Sequence, residues 1–152
     1  MAILDEKGLS GLVKLFLDLV FIGGIGILIS LPVTLRWCFD HIRLEGENYY
    51  FALGLLYLTG IMCLVILFEM KRIFKALNKR DPFIIGNVKS LNRISLMSYL
   101  ISVCYLIKIV LYNSFLTIII AMVFIIAGLF CTILAEVFRQ AVIVKEENDL
   151  TI

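Results

Sequence analysis

Little in this chain is equipped for chemistry. It has one histidine, one tryptophan and two prolines, only 17% of its residues are charged, and its four cysteines never form a CxxC pair. A lone imidazole, His41, leaves too few partners for a typical zinc site. Cys63, Cys104 and Cys131 each stand alone inside an apolar run, and Cys38 sits at the edge of one. A thiol in such a place behaves as a small hydrophobe. There is no GxSxG, no HExxH and no phosphate-binding glycine loop. The one glycine-rich tract, Gly23-Gly24-Ile25-Gly26, lies within an apolar run and reads as packing. No catalytic residue, cofactor or metal is therefore expected, and the chain is not read as an enzyme.

What the sequence has in excess is hydrocarbon. Of its 152 residues, 62% are hydrophobic, and the mean hydropathy is +1.04. A soluble domain of this size could bury roughly half of that material. A helix crossing a ~30 Å hydrocarbon core needs about 20 apolar residues, so four crossings use about 80 positions. No stretch outside the apolar runs reaches the ~50 residues of a self-sufficient soluble domain. The expected fold is all-α: a polytopic membrane protein, one four-helix transmembrane bundle over residues 1–152, with spans at about 15–37, 49–70, 94–112 and 115–138.

The first run follows an acidic leader and is long enough to cross, so it reads as a span and not as a cleaved secretory signal. Pro32 is expected to kink its far end. Gly23, Gly26, Ser30 and Thr34 recur every three or four residues and suggest a close-packing face. The second span is expected to continue as a polar helical stem to Leu77. Asp81 then reads as an N-cap with Pro82 at the first helical position, restarting the helix toward the third span. Tyr112-Asn113-Ser114 is the short link to the fourth span, where Ala121, Gly128 and Ala135 recur every seven residues as a packing seam. Residues 139–152 read as a polar tail.

Orientation follows from the basic residues of the connecting segments. Segment 71–93 holds Lys71, Arg72, Lys75, Lys79, Arg80, Lys89 and Arg93 against Asp81, whereas residues 38–48 hold Arg43 against Asp40, Glu45 and Glu47. Cytoplasmic loops carry the excess of Lys and Arg. Segment 71–93 is thus expected in the cytoplasm, together with both termini, as Lys7 and Lys14 permit. Phe74 and Phe83 interleave with this basic cluster, but no base-reading motif accompanies it, so topogenic and lipid contact is preferred over nucleic-acid binding.

Charges inside the spans carry a cost of about 2.5 to 3.5 kcal/mol each at mid-membrane and call for a partner or a wet cavity. Local spacing pairs Lys14 with Asp18, Glu69 with Arg72, and Glu136 with Arg139. The preferred reading is a salt-bridge layer holding the bundle together; the alternative is a cytoplasm-facing polar pocket. Lys108, about one turn from Tyr112, is expected to snorkel toward Asp40, Glu45 or Glu47. The tail combines Lys145, Glu146, Glu147 and Asp149 with apolar Leu150 and Ile152, which suggests recognition of a basic protein surface. Its rival is a fold-back in which Arg72 and Arg139 meet the tail's acids.

The run Ala135-Glu136-Val137-Phe138-Arg139-Gln140-Ala141, the ending Lys145 to Ile152, Asp81-Pro82-Phe83 and the downstream Asn87-Val88-Lys89 resemble the bacterial membrane family known as domain of unknown function 2975. The resemblance implies a four-helix protein of the bacterial cytoplasmic membrane without established activity. It also implies gene neighbours encoding very small helix-turn-helix regulators. The leading expectation is a membrane-bound regulatory or anchoring partner of such a regulator, with no direct contact to nucleic acid. Alternatives are a small transporter, channel or export accessory with a polar path through Asp18, Glu69 and Glu136, and an immunity or stress protein. The lipid bilayer and further copies of the chain complete the expected partners.

The topology is checked by labelling single cysteines introduced on a background without the four native ones. A cysteine at Asn48 should react with a membrane-impermeant reagent from outside, and one at Asn78 only from inside; the reverse pattern overturns the orientation.

Overall fold

A computed structural model describes residues 9–42, 48–79, 82–112 and 114–151. They form four α-helices: α1 (Leu9–Ile42), α2 (Tyr49–Asn78), α3 (Ile85–Leu111) and α4 (Phe115–Leu150). Each is long and apolar enough to cross a membrane, and no strand occurs among the described residues. At 1.5 Å per residue, α3 is about 40 Å long and α4 about 54 Å, so every helix exceeds a ~30 Å hydrocarbon core.

The helix boundaries depart from the hydropathy windows in ways the local chemistry explains. Asn48 caps α2 by accepting the Tyr50 amide at 3.0 Å, and the polar stem continues helical to Asn78. Pro82 does not open the next helix. Residues 82–84 are non-helical, α3 begins at Ile85, and Ile84 is an extended N-cap with no side-chain cap bond. Two contacts hold this link in place: the Asn87 amide donates to the Pro82 carbonyl at 2.7 Å, and the Phe83 ring rests 5.5 Å from that of Phe138. The N-cap role expected of Asp81 lies outside the described residues. α3 thus starts nine residues before the apolar window, at 85 instead of 94.

α4 likewise does not stop at 138 but runs unbroken to Leu150. No glycine or proline follows Gly128 in the sequence, so nothing in the backbone interrupts the helix that the apolar run begins. The segment expected to be a tail is an extension of α4.

Consecutive helices lie side by side. Backbone approach within 8 Å joins α1 to α2, α2 to α3 and α3 to α4, and no other pair among the described residues. The closest union is α3 with α4. On α3, Asn87, Leu91, Ile94, Ser98 and Ile101 are buried at alternating four- and three-residue steps; on α4, Ala121, Gly128, Ala135 and Val142 are buried seven apart. Both rows have the period of a coiled-coil seam. At the centre the Tyr99 ring lies over Gly128, where a Cβ would stand 2.8 Å from the ring. The Ser95 and Thr132 hydroxyls are 2.7 Å apart, and each reaches the Gly128 carbonyl, at 3.1 and 2.9 Å. Hydroxyl bonds of this kind, with backbones drawn close, replace the hydrophobic drive that lipid cannot supply.

The stripe of Gly23 and Gly26, with Ser30 and Thr34, is not a packing face within this chain. All four are exposed, and neither glycine has a side-chain neighbour within 4 Å of a built Cβ. α1 meets one neighbour only, and the row turned to α2 is Leu17, Phe21, Gly24 and Leu28. Gly24 admits the Leu64 side chain, and Gly60 of α2 admits Leu28. Past Pro32 α1 stays helical, and the Tyr49 hydroxyl donates to the Pro32 carbonyl at 3.1 Å, tying the start of α2 to it.

Gly128→Leu should lower the melting temperature in detergent, by the 1 to 3 kcal/mol typical of overpacking, about 2 to 12 °C for a chain of this size. Gly26→Leu, facing open space, should not. Equal melting temperatures for the two variants would show that the Gly128 seam does not carry the fold.

Candidate functional site

Most of the charged residues described gather at one end of the helices, where α1 starts, α2 ends, α3 starts and α4 passes through, whereas Arg36, Asp40 and Lys108 lie toward the other. A small apolar core of Val88, Leu91, Ala135 and Val142, flanked by Ile73, Leu134 and Phe138, ties α2, α3 and α4 together there. Three of the ion pairs among the described residues stand at this end, and two of them differ from the local pairing expected.

Asp18 does not meet Lys14. Its partner is Lys71 on α2, whose ammonium also lies 4.9 Å from the centre of the Phe21 ring. Glu69 does not meet Arg72. The Arg93 guanidinium of α3 donates to its Oε1 at 2.8 Å, and Arg72 is a more distant cation. The reason is common to both. These acids face the helix interface, and a side chain from the neighbouring helix reaches into that interface more directly than a same-helix lysine or arginine pointing outward. Glu69 is nearly closed to solvent, with its side chain 3% exposed, while Arg93 leaves its own outer part open at 58%. The arginine therefore brings its charge inward and keeps contact with the polar phase.

Glu136 and Arg139 do pair, in a two-pronged contact at 2.7 and 2.9 Å, with the Gln140 amide donating to the same carboxylate at 3.2 Å. This pair lies on the exposed face of α4. Asp18, Glu69 and Glu136 thus stand apart, the first between α1 and α2, the second between α2 and α3, the third on the surface of α4.

Two clefts open at this end. One, of about 670 Å³, lies between α1 and α2 and is lined by Lys14, Leu17, Asp18, Phe68, Lys71, Arg72, Phe74, Lys75, Asn78 and Lys79. The other, of about 510 Å³, lies between the 82–84 link and the extension of α4, lined by Phe83, Gln140, Ala141, Val144, Lys145, Asn148 and Asp149. Neither is lined by Glu69 or Glu136.

The extension itself projects. Val142 is its last buried residue; Glu146, Glu147 and Asp149 are exposed and Leu150 is 87% exposed. The rival fold-back of Leu150 does not occur, and Arg139 is taken by Glu136, so the acids of the extension are not drawn to it. Ile152 is outside the described residues. Lys108 is half-buried in the last turn of α3; Glu45 and Glu47, two of the acids expected near it, and Lys7, Arg43 and Arg80 of the topology argument, lie outside the described residues. All four cysteines are free thiols, each partly buried.

Sequence reasoning named Asn87 only within the family resemblance, without its role in holding the link, and missed the polar side chains of the seam, Ser95, Ser98 and Thr132. Their signal was present, since Asn87, Leu91, Ile94, Ser98 and Ile101 follow the period of the packed row, but serine in an apolar run gives no hint of which neighbour it faces.

Helix number, length and apolar surface define a multi-pass α-helical membrane protein. The chain belongs to the family described as Protein of unknown function (DUF2975), whose model matches residues 31–152, from the far end of α1 through α4. Comparison with the curated proteins and with the solved structures gave no match.

Arg93→Met strands the Glu69 carboxylate and should cost about 1 to 3 kcal/mol of stability. Adding Glu69→Gln to it should return most of that loss, measured as melting temperature in detergent. If the double variant is no more stable than Arg93→Met alone, the pair is not the source of the effect.

Proposed function

We propose that the protein is a membrane anchor and regulator for a small basic cytoplasmic protein, which docks on the extension of α4. The observation that carries the reading is Leu150. At 87% exposed near the end of a continuous helix, it is an apolar residue held away from the protein's own core. Isolated helices of this length are marginal in water, yet this one is seeded by 24 apolar-span residues before it and so is preformed. A preformed segment loses little conformational entropy on binding. Glu146, Glu147 and Asp149 give it negative charge suited to the basic face of a DNA-binding protein, and Ile143, Val144 and Leu150 give exposed apolar contacts.

The partner we assign is the small helix-turn-helix regulator that the family resemblance implies as a gene neighbour. In this reading the charge-rich end faces the cytoplasm of a bacterial cell, the protein lies in its cytoplasmic membrane, and the protein carries out no catalysis. Sequestering a regulator at the membrane would remove it from DNA, since an acidic helix competes with phosphate for the same cationic surface.

The test is recruitment of that regulator, labelled with a fluorescent protein, to membranes holding either the full chain or a chain ending at Val144. The full chain should recruit it, the shortened chain should not at equal membrane content, and Glu146→Lys with Glu147→Lys should reduce recruitment about tenfold or more. Undiminished recruitment by the shortened chain overturns the reading.

A further inference from the structure

The cleft between α1 and α2 has a composition that the anchoring role does not use. Five cationic side chains line it, Lys14, Lys71, Arg72, Lys75 and Lys79, against the single carboxylate of Asp18. Asp18 is committed to Lys71. No carboxylate among the described residues forms an ion pair with Lys14, Lys75 or Lys79, and Arg72 has only the more distant Glu69, which Arg93 already holds. Four like charges gathered in one concavity repel one another, and the arrangement is most stable with an anion among them.

The rest of the lining says what kind of anion. Leu17, Phe68 and Phe74 supply an apolar wall, and Phe68 is 57% exposed one turn nearer the apolar span than Arg72. Because α1 touches α2 alone, no third helix closes the cleft, and its apolar side is continuous with the lipid-facing surface of both helices. A soluble anion would have no use for that wall. An amphiphile with a phosphate head and acyl chains fits both parts, and basic pockets between transmembrane helices are a recurrent setting for such headgroups.

We propose that the α1–α2 cleft is a binding site for the phosphodiester headgroup of an anionic phospholipid, held by Lys14, Arg72, Lys75 and Lys79, with an acyl chain lying along Leu17 and Phe68. The Lys71–Asp18 pair, also in the lining, joins the two helices and leaves Lys71 already compensated.

The site is tested with the purified full chain in mild detergent, titrated with phosphatidylglycerol or with phosphatidylcholine of the same acyl chains, bound lipid being counted by native mass spectrometry. Phosphatidylglycerol should be retained about tenfold more strongly, and Lys75→Gln with Lys79→Gln, both exposed, the first in the last turn of α2 and the second at its C-cap, should remove about tenfold of that preference. Arg36→Gln with Lys89→Gln removes the same charge elsewhere and should leave it unchanged. Inorganic phosphate and glycerol 3-phosphate at millimolar concentration should fail to displace the lipid. Equal retention of the two lipids, an equal loss in the two double variants, or displacement by free phosphate would each overturn the proposal. The lipid preference of the unaltered chain decides the matter even if a variant fails to fold.

Discussion

The approach of α3 to α4 at Gly128 is the contact on which the rest of the structure depends. In a bilayer, two apolar helices gain almost nothing from leaving lipid for one another, so their union has to come from close fit and from hydroxyl groups with nowhere else to bond. Gly128 meets both needs. Its missing side chain admits the Tyr99 ring, and its carbonyl receives the Ser95 and Thr132 hydroxyls. With the register of α3 on α4 set there, the seven-residue spacing carries the match outward to Ala135 and Val142. That places Val88 and Leu91 against them and completes the apolar core at the charged end.

Charge at that end is handled by reaching across, not along. Asp18 and Glu69 each take a cation from the next helix, so each pair links two helices as well as neutralising an acid. A same-helix pair would have done only the second. The exposed Glu136–Arg139 pair is of that local kind and joins nothing. The two cross-helix pairs lie at the two weaker helix junctions, α1 with α2 and α2 with α3, whereas the α3–α4 seam has its own hydroxyl network.

How much of this could be read from the residues differs by feature. The number of helices and the four membrane crossings followed from run length, which is a one-dimensional property of the chain. Helix ends did not: Pro82 has the fixed backbone of a first helical residue, yet α3 opens three residues later at Ile85, and Arg139 to Leu150 are polar enough to look like a tail while lacking any residue that would stop a helix. Ala121, Gly128 and Ala135 were legible as a seam, yet Gly23 and Gly26 had an equally good spacing and face outward. Spacing reports that a helix could pack closely and is silent on whether a neighbour is there. The pairing of Asp18 and Glu69 was misassigned for a related reason: i, i+3 and i, i+4 rules see only one helix, and the partners that matter come from another.

The side-by-side order of the helices has a consequence for how the chain is built. Each of α2, α3 and α4 rests on the helix synthesised just before it, and among the described residues backbone contact between helices never skips a neighbour. A chain entering the membrane from its first helix onward can therefore dock every new segment on a surface already present, with no earlier segment having to wait for, or make room for, a later one. Contacts between adjacent segments are also the quickest to form, since the loop that must close is short. The same order leaves the two outer helices, α1 and α4, with one neighbour each among the described residues, so α1 can detach from α2 without opening any junction among the other three.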